Sequence, residues 1–212
     1  PPLVLLDEPI AGPAAARVSV DNTRGGELVA EHLATTGRRR AAVIGAPAGM
    51  PTSVQRVEGF TRRARELGME VPERAVARAV RRTGDAIGQA TAILKDVSGI
   101  EAFFAGDDLL AITLIRALAA QGLQVPEDVA VCGFDDIPWA ALVTPALTTV
   151  RQPAREMGRV GVDLALGAFA DALDDADGSS RDVVLPVELI VRDSTAPAAS
   201  DARQAGAAEP VS

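Results

Sequence analysis

VPEDVAVCGFDDIPWAALVTPALTTVRQP, residues 125–153, carries the reading of the fold. It holds a Pro-led turn, a short apolar strand (Val129–Gly133), the acid pair Asp135-Asp136, and a second turn signal at Thr144-Pro145. A buried strand with acids just beyond its carboxyl end is the pattern by which open α/β sheets bind small polar ligands.

The same pattern recurs outward in both directions. Leu3–Leu6, Ala41–Gly45, Val76–Val80 and Ile100–Ala105 read as strands, the first as a buried one. Helical spacing marks Asn22–Thr36 after the N-cap Asp21, Ser53–Leu67, Asp85–Val97, Asp108–Gln121 and Pro153–Leu173. Gly37, Gly68 and Gly122 stand at helix stops. Val183–Val191 reads as one or two final strands around Pro186. Strands alternating with helices imply doubly wound parallel sheets with helices on both faces. The segment 174–180 (DDADGSS) reads as a surface loop, and 196–212, rich in Ala, Pro and Gln, as a disordered tail.

Composition excludes several functions. The net charge of -8 disfavours a phosphate-binding surface, and 3% aromatics leave no base-stacking platform. One His and one Cys argue against a zinc site, and a lone Cys132 excludes an internal disulfide. No glycine-rich phosphate loop occurs, and no cofactor is implied. No apolar run approaches the ~20 residues needed to span a membrane. The chain begins PPLVLLDEPI, without a basic leader and with Pro rather than Met, which predicts a piece of a longer cytoplasmic protein.

Three polar positions follow three predicted strands: Met50–Arg56, Asp107 and Asp135. If those strands are parallel neighbours, Arg56, Asp107 and Asp135 lie on one sheet edge and can hold a polyol or nucleoside. The alternatives are that Asp107 or Asp108 only caps a helix and that Arg56 is a solvated helix residue. Trp139 either lines a cleft or fills a core. His32 has no nucleophile nearby in sequence, Cys132 reads as an inert core thiol, and the basic runs Arg38–Arg40, Arg62-Arg63 with Arg65, and Arg81-Arg82 read as solvated faces.

These segments resemble the LacI/GalR family of bacterial transcriptional repressors in its ligand-binding region. VSVDNTRGGELVAEHL, GRRRAAVIGAP, QRVEGFTRRARELG, AFFAGDDLLAITLIRALAAQGLQVPEDVAVCGFDDI, TPALTTVRQPAREMG and LPVELIVRDST occur in family order from Val18 to Thr195. The resemblance implies a type I periplasmic-binding-protein-like fold: two subdomains with a ligand cleft between them. Residues 18–150 and 187–195 would form the second subdomain, nearly complete. Residues 1–17 and 151–186 would be a remnant of the first. Arg56, Asp107 and Asp135 would contact a sugar- or nucleoside-like effector, with Met50, Thr83 and Trp139 lining the cleft. Thr83 stands where relatives often place an aromatic, and Asp107 where Asn is common. The resemblance further implies a homodimer and operator DNA bound through a helix-turn-helix head that this chain does not contain. The missing half of the first subdomain predicts exposed apolar surface on Met157, Val160, Leu164 and Leu166. A periplasmic-type solute-binding protein is the main alternative, with an enzyme on the same sheet or a protein-recognition domain behind it.

Overall fold

The structure, a computed structural model, describes residues 3–7, 15–45, 49–77, 83–173 and 182–195. The larger sheet comprises β3 (Ala41–Ile44), β4 (Val76–Ala77), β5 (Ala102–Ala105), β6 (Ala130–Asp135), β7 (Thr148–Arg151) and β9 (Glu188–Ile190) in the order β4-β3-β5-β6-β7-β9. Its first five strands are parallel, and β9 runs antiparallel to β7. Continuous apolar strands are the signature of a sheet buried on both faces, and β3 and β5 are buried at every position.

Side-chain alternation splits that burial into two cores. Val43, Phe104, Cys132 and Phe134 face Val29 and Leu33 of helix α1 (Asn22–Thr35) and Val57 and Phe60 of α2 (Pro51–Glu66). Ile44, Phe103 and Val131 face Ile93 of α3 (Thr83–Asp96) and Leu114 and Leu118 of α4 (Asp108–Ala120). Asp21 caps α1 by accepting a hydrogen bond from Arg24 N at 2.8 Å, and Gly37, Gly68 and Gly122 take the positive φ that ends a helix.

The smaller sheet is parallel, in the order β1 (Val4–Leu6), β2 (Ala16–Val20), β8 (Asp182–Leu185). Val18, Val20 and Met157 of α5 (Ala154–Leu173) form its core. The boundary expected at residue 18 falls inside β2, all of which belongs to this sheet. Strand β2 is absent from the sequence reading because Arg17 and Ser19 interrupt its apolar letters. Leu3 and Leu6, expected to be buried, are about half exposed, since among the described helices α5 is the one that packs on β1 and β2. The exposed apolar surface expected on α5 holds at Leu166 but not at Met157, Val160 and Leu164. Met157 is buried and Val160 and Leu164 pack on the small core, whereas Val162 and Leu166 face outward. Arg38 departs from the solvated-face reading too: it is buried and its Nη2 donates to the Pro126 carbonyl at 2.6 Å. Arg62 and Arg63 stay on the surface, paired with Glu27, Glu31 and Glu66. Arg81, Arg82, the 174–180 loop and the 196–212 tail lie outside the described residues.

Strand β7 carries no apolar run, because two of its three buried residues are Thr148 and Thr149. Their polar atoms are satisfied internally. Ser194 Oγ accepts from Thr148 N at 2.8 Å and donates to the Val131 carbonyl at 2.6 Å. Thr195 Oγ1 lies 2.8 Å from Thr148 Oγ1 and 2.7 Å from His32 Nε2. Ser194→Ala strips a fully buried amide of its acceptor, so urea denaturation should show a loss of about 1–3 kcal/mol.

Candidate functional site

Because β3, β5 and β6 are parallel neighbours, the loops after them open on one edge of the larger sheet. Strand β6 ends in Asp135, at φ 115°, and Asp136 follows at φ 55°. Backbone of this kind costs a non-glycine residue of order 1–3 kcal/mol and persists only when its surroundings hold it. Arg192 and Arg151 hold Asp136, at 2.6 and 2.7 Å. Burial alone would raise its carboxyl, but those two guanidinium contacts outweigh it and the net direction is down.

Arg56, from the second turn of α2, is only 6% exposed. Its Nε donates to Asn22 Oδ1 at 2.8 Å, and its Nη1 to the Gly106 carbonyl at 2.9 Å and Asp135 Oδ1 at 3.3 Å. Its Cζ sits 3.8 Å from the Phe134 ring centroid. One side chain thus joins the start of α1, the end of β5 and the end of β6, which rules out a solvated helix arginine. Gln152 Nε2, in the crossover from β7 to α5, donates to the same Asp135 Oδ1 at 2.6 Å.

Asp107 does cap α4, accepting from Leu110 N at 2.8 Å. It also stands close enough to Asp135 for their charges to interact. Burial pushes Asp135 up to about 6; Arg56 and Gln152 oppose this, while Asp107 and Asp7 add to it. Arg56, Asp107 and Asp135 are therefore brought together. Met50 occupies the N-cap position of α2 and is 41% exposed. Thr83 opens α3, and its side chain lies outside the described residues. Trp139, in the 3₁₀ turn Pro138–Ala141, is 62% exposed and fills no core. His32 contacts Thr195, and burial lowers its pKa; Cys132 is buried, which pushes its thiol up.

Asp7, Asn22 and Gln152 are not singled out in the sequence, and Asp108 reads there only as a possible helix cap. Asp7 follows β1 as Asp135 ends β6, and that repeated strand-then-acid pattern was its signal. With Asn22, Thr52 and Gln55 it lines a pocket of about 150 Å³ against Arg17 and Asp182 of the smaller sheet. Gln152 had no signal short of the fold itself. Asp108, beside Asp107, is fully buried and accepts from Ile137 N at 2.8 Å and from Thr149 Oγ1, tying the acid loop and β7 to α4. A Cβ at Gly133 would sit 2.3 Å from its Oδ1, which explains the glycine inside β6. Among the described residues no group of His, Cys, Asp and Glu could hold a metal ion, and no helix is long and apolar enough to cross a membrane.

Residues 30–195 match the family model of the periplasmic binding protein-like domain. The chain belongs to that family. Its curated relatives are LacI-type regulators. It is 34% identical over 181 residues to the HTH-type transcriptional regulator CelR of Thermobifida fusca, covering 84% of this chain and 51% of that protein. It is 31% identical over 142 residues to the ribose operon repressor of Escherichia coli (strain K12), covering 67% and 43%. The chain thus spans about half the length of the curated relatives it matches. Among solved structures, a CelR–cellobiose complex superposes with a TM-score of 0.81 at 32% identity, over 90% of this chain and 58% of that one. A LacI family regulator of Enterococcus faecalis V583 with bound ribose gives 0.79 at 30%, over 92% and 69%. The type I periplasmic-binding-protein-like fold and the LacI/GalR resemblance both hold.

Burial raises Asp108 to about 7, against the bonds from Thr149 and Ile137. An acid raised on folding contributes stability below its unfolded pKa, and that contribution is lost as pH climbs through the folded value. Between pH 4 and pH 8 the wild type should therefore lose roughly 2–4 kcal/mol relative to Asp108→Asn, read from urea midpoints at each pH.

Proposed function

We propose that this chain is the effector-sensing domain of a LacI-type transcriptional regulator, a repressor rather than an enzyme. A small sugar- or nucleoside-like ligand occupies the cleft at the carboxyl ends of β1, β5 and β6. The observation that carries this reading is the Arg56–Asp135–Gln152 constellation. Asp135 Oδ1 accepts from Arg56 and Gln152, and no described partner holds Oδ2. Two donors on one oxygen orient the carboxylate and leave the other to a ligand hydroxyl. Arg56, Asp107 and Asp135 are the contact residues, with Met50, Thr83 and Trp139 at the margins.

Ligand held by both sheets biases their relative angle, by no more than its difference in affinity for the two arrangements. In the whole protein that angle sets operator affinity through paired subunits and a DNA-binding head, in the cytoplasm. No cofactor takes part. The alternative of a periplasmic-type solute-binding protein is not favoured, since the curated relatives bear the names of transcriptional regulators.

Thermal denaturation with ribose, cellobiose, maltose, adenosine and hypoxanthine tests the reading. One compound at a hundredfold excess over its Kd should raise Tm by about 5–10 °C, and Asp135→Asn should abolish the rise. A flat response to every compound overturns the proposal. In the whole protein, Asp135→Ala should abolish the effector response and leave operator affinity intact by gel shift.

A further inference from the structure

The charges at the cleft do not balance. Arg56 lies against Asp135 and matches its charge. Asp136 and Glu188 together are matched by Arg192 and Arg151, which bridges the two acids. Asp107 has no ion-pair partner among the described residues. One of its oxygens caps α4 and the other has no described hydrogen bond. The helix N-terminus favours a carboxylate at that position. The second oxygens of Asp107 and Asp135 thus offer a ligand two acceptors and one unmatched negative charge. Burial pushes Asp135 up to about 6, and the charge of Asp107 adds a smaller push in the same direction.

The geometry points to an effector that is a small polyol bearing a protonated primary amine, an amino sugar, with Asp107 as the residue that selects the ammonium. A hydroxyl can satisfy the free oxygens but leaves the charge unmatched. An ammonium donates up to three hydrogen bonds and matches the charge, and such charge-assisted bonds are roughly twice as strong as neutral ones. An anionic sugar is disfavoured by the same count. This inference rests on the ligand-domain reading above and gives that site a ligand class.

The test is calorimetric titration of the chain at pH 7.5 with glucosamine, galactosamine and mannosamine, each beside its neutral parent and its N-acetyl derivative, and with ribose and cellobiose. At least one amine should bind tenfold or more tightly than its neutral parent and its acetylated form. That ratio should fall as pH drops below about 6, where Asp135 takes up a proton. D107N should collapse the ratio towards one. Asn caps a helix as well as Asp does, so α4 keeps its start in this variant. If neutral sugars bind as tightly as their amines, or if D107N keeps the amine preference, the amino-sugar assignment is overturned and the ligand domain stands. If none of the amines binds, the amino-sugar assignment is overturned, and the wider panel of neutral sugars and nucleosides decides the ligand-domain reading on its own.

Discussion

The guanidinium of Arg56 is the contact on which the site depends. It is buried, so every nitrogen that lacks a partner costs the protein, and the surroundings supply an amide oxygen, a backbone carbonyl, a carboxylate and an aromatic face. Those partners come from the first turn of α1, the loop after β5, and β6. Held this way, Arg56 fixes the spacing of three loops that otherwise share only the sheet beneath them. The arrangement also explains why Asp135 tolerates a positive φ, because the side chain is clamped from two directions and the backbone must follow.

A second polar tie works one layer below. Asp108 has no exposed surface, yet it spends its oxygens on the amide of Ile137 and the hydroxyl of Thr149. Adjacent aspartates thus divide the work. Asp107 caps the helix and acts on Asp135 through its charge, while its neighbour anchors the loop that presents Asp135.

Much of this was legible in the letters. The apolar runs of β3, β5 and β6 and the apolar spacing of α1, α2 and α4 needed no tertiary information, because burial on both faces and helical period each leave a local trace. Asp135 and Asp107 were legible for the same reason: acids directly after a buried strand have few uses. The strands missed were those whose burial is polar or half-open. In β7, Thr148 and Thr149 are buried through hydrogen bonds to Ser194 and Asp108, contacts set by residues about 40 positions away. In β2, Arg17 and Ser19 occupy the face away from α5. Gln152 carries no local signal, since its role exists only once the crossover to α5 brings it to Asp135.

The lock of Ser194 and Thr195 on Thr148, Val131 and His32 has a temporal consequence. His32 and Thr195 are 163 residues apart, and β9, the last strand of the larger sheet, follows both α5 and β8 in the chain. Contacts of such long range slow folding, since the closing entropy is spent before the contact rewards it. During synthesis, the larger sheet must wait with an unpaired β7 edge until nearly all of the described chain has emerged. The α/β body that begins to form early is sealed only by its final residues.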